Sequence, residues 1–127
     1  MTYKELSYSV VGAAINVHKE LGPGLLEKVY QECLFYELSN LGLCVEKEIG
    51  IPLSYKGVKL ECGFRMDMLV ENKLVIETKT VAEIHDIHLA QLLSYLKQGD
   101  YKLGLLINFN SVHLKNGIRR VVNGLEE

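Results

Sequence analysis

The chain lacks the features that mark disordered, repetitive or membrane-spanning proteins. It has no low-complexity stretch, no long run of charges of one sign and no internal repeat, so disorder is not expected beyond its ends. No apolar run approaches the roughly 20 residues needed to cross a bilayer. The opening MTYKELSYSV has no apolar signal-peptide core. Cysteine is scarce and odd in number: Cys33, Cys44 and Cys62, with no CxxC. That excludes a disulfide framework or a zinc finger and predicts buried free thiols in a reducing cytoplasm. A surplus of positive charge is also missing. Lys and Arg number 14 against 16 Asp and Glu, leaving −2. Electrostatics alone therefore do not suit the chain to tight nonspecific duplex binding. This counts against a pure DNA-binding module. It counts less against a protein that holds a divalent cation, which brings its own positive charge.

What is present is the composition of one globular unit. With 127 residues, 48% apolar and 24% charged, residues 1–127 are expected to form a single domain with one hydrophobic core. Leu6, Val10, Ala14, Val17 and Leu21 recur at spacings of three and four, predicting a helix over Lys4–Leu21 that Gly22-Pro23-Gly24 breaks. A second helix is expected from about Leu25 to Leu41, with Gly42 at its stop. The pattern then turns to β. Val45–Tyr55, Lys59–Cys62, Phe64–Val70 and Leu74–Thr80 read as strands, joined by turns at Lys56-Gly57 and Glu71-Asn72-Lys73. A third helix is expected from about Ala82 to Lys97. The nearly all-apolar run Lys102–Phe109 reads as a strand covered on both faces. Ile118–Val122 is either a last strand or a helical tail. The order α-α-β-β-β-β-α-β implies an α/β fold, with a mixed β-sheet flanked by helices and a parallel crossover from Leu74–Thr80 to Lys102–Phe109.

Strand parity singles out a group of charged residues. Glu77 and Lys79 are two apart in a strand, so they share a face and lie roughly 7 Å apart. On the preceding strand Arg65, Asp67 and Leu69 share a face, while Phe64, Met66, Met68 and Val70 take the other. A short antiparallel connection can bring Asp67 near Glu77. Two neighbouring carboxylates repel unless a proton or cation sits between them, and hard oxygen ligands of this kind suit Mg²⁺ or Mn²⁺. Lys79 beside them can orient a water or neutralise charge building up on a phosphate. On the following helix His88, Gln91 and Tyr95 fall on one face, where Gln91 and Tyr95 can reach the same water or phosphate. His85 and His88 form HxxH, but no matching Cys or His cluster completes a zinc site. A bare ExK is more often a salt bridge on a solvated strand face, and Asp67 is what shifts that balance.

Asp67 followed by Glu77-Thr78-Lys79 resembles the D…(D/E)xK signature of the PD-(D/E)xK nuclease superfamily. Gln91-Leu92-Leu93-Ser94-Tyr95 resembles the QxxxY motif on the helix after the catalytic strand in exonuclease-like branches. Gly24-Leu25-Leu26-Glu27-Lys28-Val29-Tyr30 fits GxxExxY, and the chain resembles the GxxExxY protein family, a small bacterial and archaeal group in that superfamily. The resemblance runs from about Val10 to Val122. It implies a restriction-endonuclease-like core and a divalent-metal nuclease site. Asp67 and Glu77 would be metal ligands, joined by the Thr78 carbonyl, and Lys79 would be the catalytic lysine. Gln91 and Tyr95 would support them, and Glu27 would stand where the family's helical acid completes the metal shell. His18, just before the Gly-Pro-Gly turn, is a further candidate for the same cleft. The residue before Asp67 is Met66 where the signature has proline; that proline binds no metal.

The resulting expectation is a nuclease dependent on Mg²⁺ or Mn²⁺ that hydrolyses DNA or RNA. The alternative is a catalytically inactive nuclease-like fold that binds a nucleic acid or a protein. The small size and weak negative charge imply help from a homodimer or partner protein in gripping substrate. Lys97, Lys102, Lys115, Arg119 and Arg120 are the candidates for a basic surface, and no membrane contact is expected.

Overall fold

The computed structural model describes residues 1–126, apart from the side chain of Cys62. Two helices come first, α1 (Tyr3–Leu21) and α2 (Glu27–Asn40). They are followed by strands β1 (Val45–Tyr55), β2 (Val58–Val70) and β3 (Leu74–Lys79). Helix α3 (Asp86–Gly99), strand β4 (Leu103–Asn108), a 3-10 turn (Leu114–Gly117) and strand β5 (Ile118–Val122) complete the order. The sheet order is β1-β2-β3-β4-β5, antiparallel at every junction except the parallel pair β3–β4. The mixed sheet flanked by helices is the α/β class that the sequence implies.

The helices form two layers on opposite faces of the sheet. Leu6, Val10, Ala14 and Val17 of α1 and Tyr30, Leu34 and Leu38 of α2 pack against Met68, Val70, Leu74, Ile76, Leu105 and Ile107. Leu92, Tyr95 and Leu96 of α3 pack against Ile51, Met66, Leu69, Val75 and Leu106 on the other face. Both faces of β3 and β4 are thus covered, which is why their sequences are almost uniformly apolar. α1 begins with a capping box: Thr2 accepts from the Glu5 N–H, and the Glu5 carboxylate accepts from the Thr2 N–H. The α1–α2 turn is pinned by Tyr30, whose hydroxyl donates to the Gly22 carbonyl and accepts from the Leu25 N–H. Gly22 (φ 69) and Gly24 (φ 98) supply the left-handed backbone of that turn.

Three details differ from the sequence expectation, and the alternative left open for Ile118–Val122 is settled. The two strands expected either side of Gly63 are one continuous strand, β2, so the order is α-α-β-β-β-α-β-β. Gly63 is no break. A Cβ there would lie 1.7 Å from the Ile51 carbonyl oxygen, so the glycine lets β1 and β2 approach where their register shifts between Ile51 and Leu53. The third helix starts at Asp86, four residues later than expected, because residues 80–85 cross from β3 to the α3 layer. Ile118–Val122 is a strand, paired with β4 from Leu103↔Val122 to Ile107↔Ile118. Finally, Cys33 is half-buried and Cys44 exposed rather than buried, and the Cys62 side chain lies outside the described residues.

The hairpin joining β1 and β2 turns at Lys56 (φ 49) and Gly57 (φ 79), and β2–β3 turns at Glu71 (φ 53) and Asn72 (φ 54). Two left-handed central residues match the twist of the flanking strands, so both connections are tight and their registers fixed. Gly63→Ala is expected to lower stability by more than about 2 kcal/mol, since the clash is with backbone. Chemical denaturation measures this, and a change under about 0.5 kcal/mol would mean that the close approach is not needed.

Candidate active site

The β2–β3 turn sets the register Val70↔Leu74, Leu69↔Val75 and Met68↔Ile76, which makes Asp67 and Glu77 the next opposed pair. Backbone pairing stops there. The Asp67 N–H donates instead to Glu77 Oε1 (3.0 Å), while Asp67 Oδ2 accepts the Thr78 N–H (2.8 Å) and the Thr78 hydroxyl (3.1 Å). Each carboxylate therefore reaches across to the backbone of the other strand. The strands open into a fork with both acids in its cleft.

The fork has a local cause on the far side of β2. Lys47 pairs with Met68 and Ile49 with Met66, and between them Glu48 lies opposite Asp67 with φ 52. Both strands change faces at this point. Met68 and Val70 join the α1/α2 core, whereas Phe64 and Met66 pack with α3. The simple alternation that puts Phe64, Met66, Met68 and Val70 on one face therefore breaks at Asp67, because a left-handed residue rotates the strand pair. Leu69 lies on the α3 side together with Phe64 and Met66, so the expected grouping of Arg65, Asp67 and Leu69 on a face opposite Phe64 and Met66 does not hold along the whole strand.

Burial makes the acid pair energetically tense. Glu77 is only 4% exposed. Its carboxyl is pushed from 4.5 up to about 8, first by desolvation and then by the Asp67 charge. Glu27, in the first turn of α2, is raised by partial burial and by Asp67, and Lys79 opposes that rise. The Tyr95 phenol is raised by burial, then by Glu77 and Asp67. Groups from α2, β2, β3 and α3 thus share one electrostatic neighbourhood.

The donor set suits a hard cation. Asp67 and Glu77 offer carboxylate oxygens, and a cation would relieve the same repulsion that now favours a proton on Glu77. Among the described residues no three His, Cys, Asp or Glu side chains converge into a ready-made cage. A metal would therefore rest on two carboxylates, the Thr78 carbonyl and water or substrate oxygens. That incomplete protein shell is usual for Mg²⁺.

The remaining candidates are dispersed. Gln91 is exposed on α3, one turn before the buried Tyr95. His88 Nδ1 accepts the His85 N–H (2.9 Å), so this imidazole caps the start of α3. His18 lies in the last turn of α1. Its Nε2 lies 2.7 Å from the Ser111 carbonyl, which fixes the C-terminal end of α1 to the segment after β4.

One residue escaped the sequence reading. Asn108 pairs with Lys79 in the β3–β4 register and is buried. Its side-chain amide donates to the Val81 carbonyl (2.9 Å) and accepts the Val81 N–H (3.1 Å). The Phe109 N–H meanwhile donates to the Lys79 carbonyl (2.9 Å). The amide thus imitates a strand and holds the chain as it leaves Lys79. A single polar residue ending the apolar run Leu103–Ile107 was the available signal.

Two outcomes follow. Between about pH 4.5 and 8 the metal-free native state binds more protons at Glu77 than the unfolded chain does, so this group's favourable contribution, complete below about 4.5, is lost as pH rises through about 8. Glu77→Gln should flatten that decline and raise the thermal midpoint near pH 8.5, by roughly 1–3 kcal/mol in stability; an unchanged pH profile would contradict the burial argument. Asn108→Ala should cost about 1–3 kcal/mol by removing the partner of the Val81 N–H and leaving the Val81 carbonyl only the long contact to the Asn110 amide (3.5 Å), whereas an exposed asparagine would cost almost nothing. Denaturant titration separates the two cases.

Comparison with known proteins gives the architecture its place. The chain matches none of the curated proteins. Among solved structures it is similar to the crystal structure of SSO0001, with a TM-score of 0.58 and 23% identity. The alignment covers 98% of this chain and 59% of that one, a likeness of fold. The family model of the PD-(D/E)XK nuclease superfamily matches residues 4–121, and its restriction-endonuclease-like architecture is the mixed sheet and flanking helices described above. By that match over nearly its whole length, the chain belongs to the PD-(D/E)XK nuclease superfamily.

Proposed function

We propose that this chain is a divalent-metal-dependent nuclease that hydrolyses DNA or RNA phosphodiester bonds, and that it belongs to the GxxExxY branch of its superfamily. The observation that carries the reading is the β2–β3 fork, where the Asp67 and Glu77 carboxylates face each other. Lys79 lies two residues beyond Glu77 on the same strand. A structural protein gains little from a like-charge pair of which one member is buried.

Asp67, Glu77 and the Thr78 carbonyl would hold Mg²⁺ or Mn²⁺, with Glu27 available to complete the shell. When bound there, such an ion would supply Lewis acidity toward a phosphoryl oxygen and a water. The Lys79 ammonium orients the attacking water and neutralises charge that grows on the phosphate as the P–O bond to the leaving sugar breaks. The Tyr95 hydroxyl, which feels the charges of Glu77 and Asp67, would donate a hydrogen bond to the bound water or phosphate, and the exposed Gln91, one turn earlier on α3, would reach the substrate. Residues 1–127 act as one domain in the cytoplasm, with a homodimer or partner protein adding to the grip on substrate.

A second reading, a catalytically silent nuclease-like binding module, draws on the same fork, since the backbone N–H groups of Asp67 and Thr78 already occupy an oxygen of each carboxylate. Incubation of purified protein with plasmid and with RNA in Mg²⁺ or Mn²⁺ separates the two. Wild type should cut, and Lys79→Ala should cut at least about 100-fold more slowly with its fold intact. Equal cutting by both proteins would expose a contaminant and reject the assignment. Calorimetric metal binding should be lost in Asp67→Ala and Glu77→Ala. Nucleic-acid binding without cleavage in wild type, unaltered by Lys79→Ala, would establish the second reading.

A further inference from the structure

The positive charge around the site is distributed unevenly. Along α2 and the strands beside it, Lys28, Lys47 and Arg65 are already engaged. Lys28 pairs with Glu48 (2.9 Å) and Glu32 (3.4 Å), Lys47 with Glu32 (3.0 Å), and Arg65 lies 3.8 Å from Glu48. The groove between α1 and α2 carries Glu20, Glu32 and Glu37 on its walls. Lys97 ends α3 and Lys102 precedes β4, at the opposite end of the sheet from Lys79, so they do not join Lys115 in one basic surface.

The side of α1 and the 3-10 turn is different. A cleft of about 360 Å³ lies between them, with Ile15, His18 and Lys19 on one wall and Val112, His113 and Lys115 on the other. No acid lines it. Among the described residues, no carboxylate lies within ion-pairing distance of Lys19 or Lys115. Lys19, His113, Lys115 and the apolar Val112 are all exposed, Val112 by 75%. The two walls are joined by His18, whose Nε2 must carry the proton because the Ser111 carbonyl can only accept. The cleft is also tied to the fork. β4 ends at Asn108 beside Lys79, the Phe109 N–H bonds the Lys79 carbonyl, and His113 follows five residues after Asn108. That length of chain spans at most about 18 Å, on the order of five nucleotide steps of a stacked strand.

We propose that this cleft is a phosphate-backbone track, in which Lys19, Lys115 and His113 hold the nucleic-acid strand as it leaves the catalytic fork. The inference rests on the nuclease-fold reading for its ligand class, a phosphodiester polyanion. The two uncompensated ammonium groups provide the attraction. Val112 and the His113 ring offer a surface for a sugar or base edge. In a chain of net charge −2, a local uncompensated cluster of this kind is what draws a polyanion to one place.

The test is equilibrium binding of fluorescent single-stranded DNA, duplex DNA and RNA over a salt series, in a Lys79→Ala background that keeps substrate uncut. Lys19→Ala/Lys115→Ala should weaken binding roughly tenfold and lower the salt slope by about 1.4 for single strands or about 1.8 for duplex. The substrate showing the full loss identifies the natural strand type. Lys56→Ala/Lys59→Ala, which removes the same charge from the hairpin tip, should leave slope and affinity unchanged. In the catalytic background the Lys19/Lys115 variant should raise KM with kcat preserved. An equal loss in both double variants would show a net-charge effect and overturn the track. So would an unchanged slope in the Lys19/Lys115 variant, or no binding by the parent protein. Slope-dependent binding by a wild type that never cuts would retain the track and retire the catalytic reading, so the two proposals fail separately.

Discussion

Two carboxylates opposed across a strand pair, one of them almost removed from water, form the constraint around which the rest of the site is arranged. Left alone, such a pair drives a proton onto Glu77. The fold does not avoid the repulsion. It interrupts the β2–β3 ladder and directs backbone N–H groups at both acids. Hydrogen bonding to the charged forms offsets part of the desolvation, and the remainder is a standing preference for a positive charge. That preference belongs to the site before any ligand arrives.

The scaffold keeps this arrangement from relaxing. β3 and β4 are packed on both faces, so Glu77 cannot swing out without displacing Val75, Leu106 or the α3 residues above them. The Asn108 amide and the Phe109 N–H fix the backbone on either side of Lys79. Helices α2 and α3 both begin at the end of the sheet where the fork opens, bringing Glu27 and Tyr95 into its field. Lys28, Lys47 and Arg65 are paired with acids, whereas among the described residues Lys19 and Lys115 have no carboxylate within ion-pairing distance.

Much of this was legible in the sequence because it depends on short-range rules. The face shared by Glu77 and Lys79 follows from strand period, and the opposition of Asp67 and Glu77 follows from a tight turn at residues 71–73. The face inversion at Asp67 was not legible. It needs Glu48 in a left-handed conformation on a neighbouring strand, and no local pattern announces that. Gly63 was misread for a related reason. A glycine that ends a strand and one that admits a neighbouring carbonyl look the same in one dimension, and only the Ile51 contact tells them apart. The late start of α3 reflects tertiary geometry, since residues 80–85 must cross between layers. Asn108 drew no notice inside the apolar run Lys102–Phe109 because its partner, Val81, lies in another segment.

The Tyr30 ring stacks on Phe109 at 4.6 Å while its hydroxyl holds the Gly22-Pro23-Gly24 bend. Phe109 in turn grips the carbonyl of Lys79. The helical hairpin at the amino terminus and the ammonium-bearing strand are therefore joined by a relay two residues long. Glycine, glutamate and tyrosine in the segment from Gly24 to Tyr30 divide the labour: one bends the chain, one faces the acids, one fastens the bend to the floor beneath. Drift or mutation in that segment would reach the acid pair and Lys79 through a side chain that never touches them.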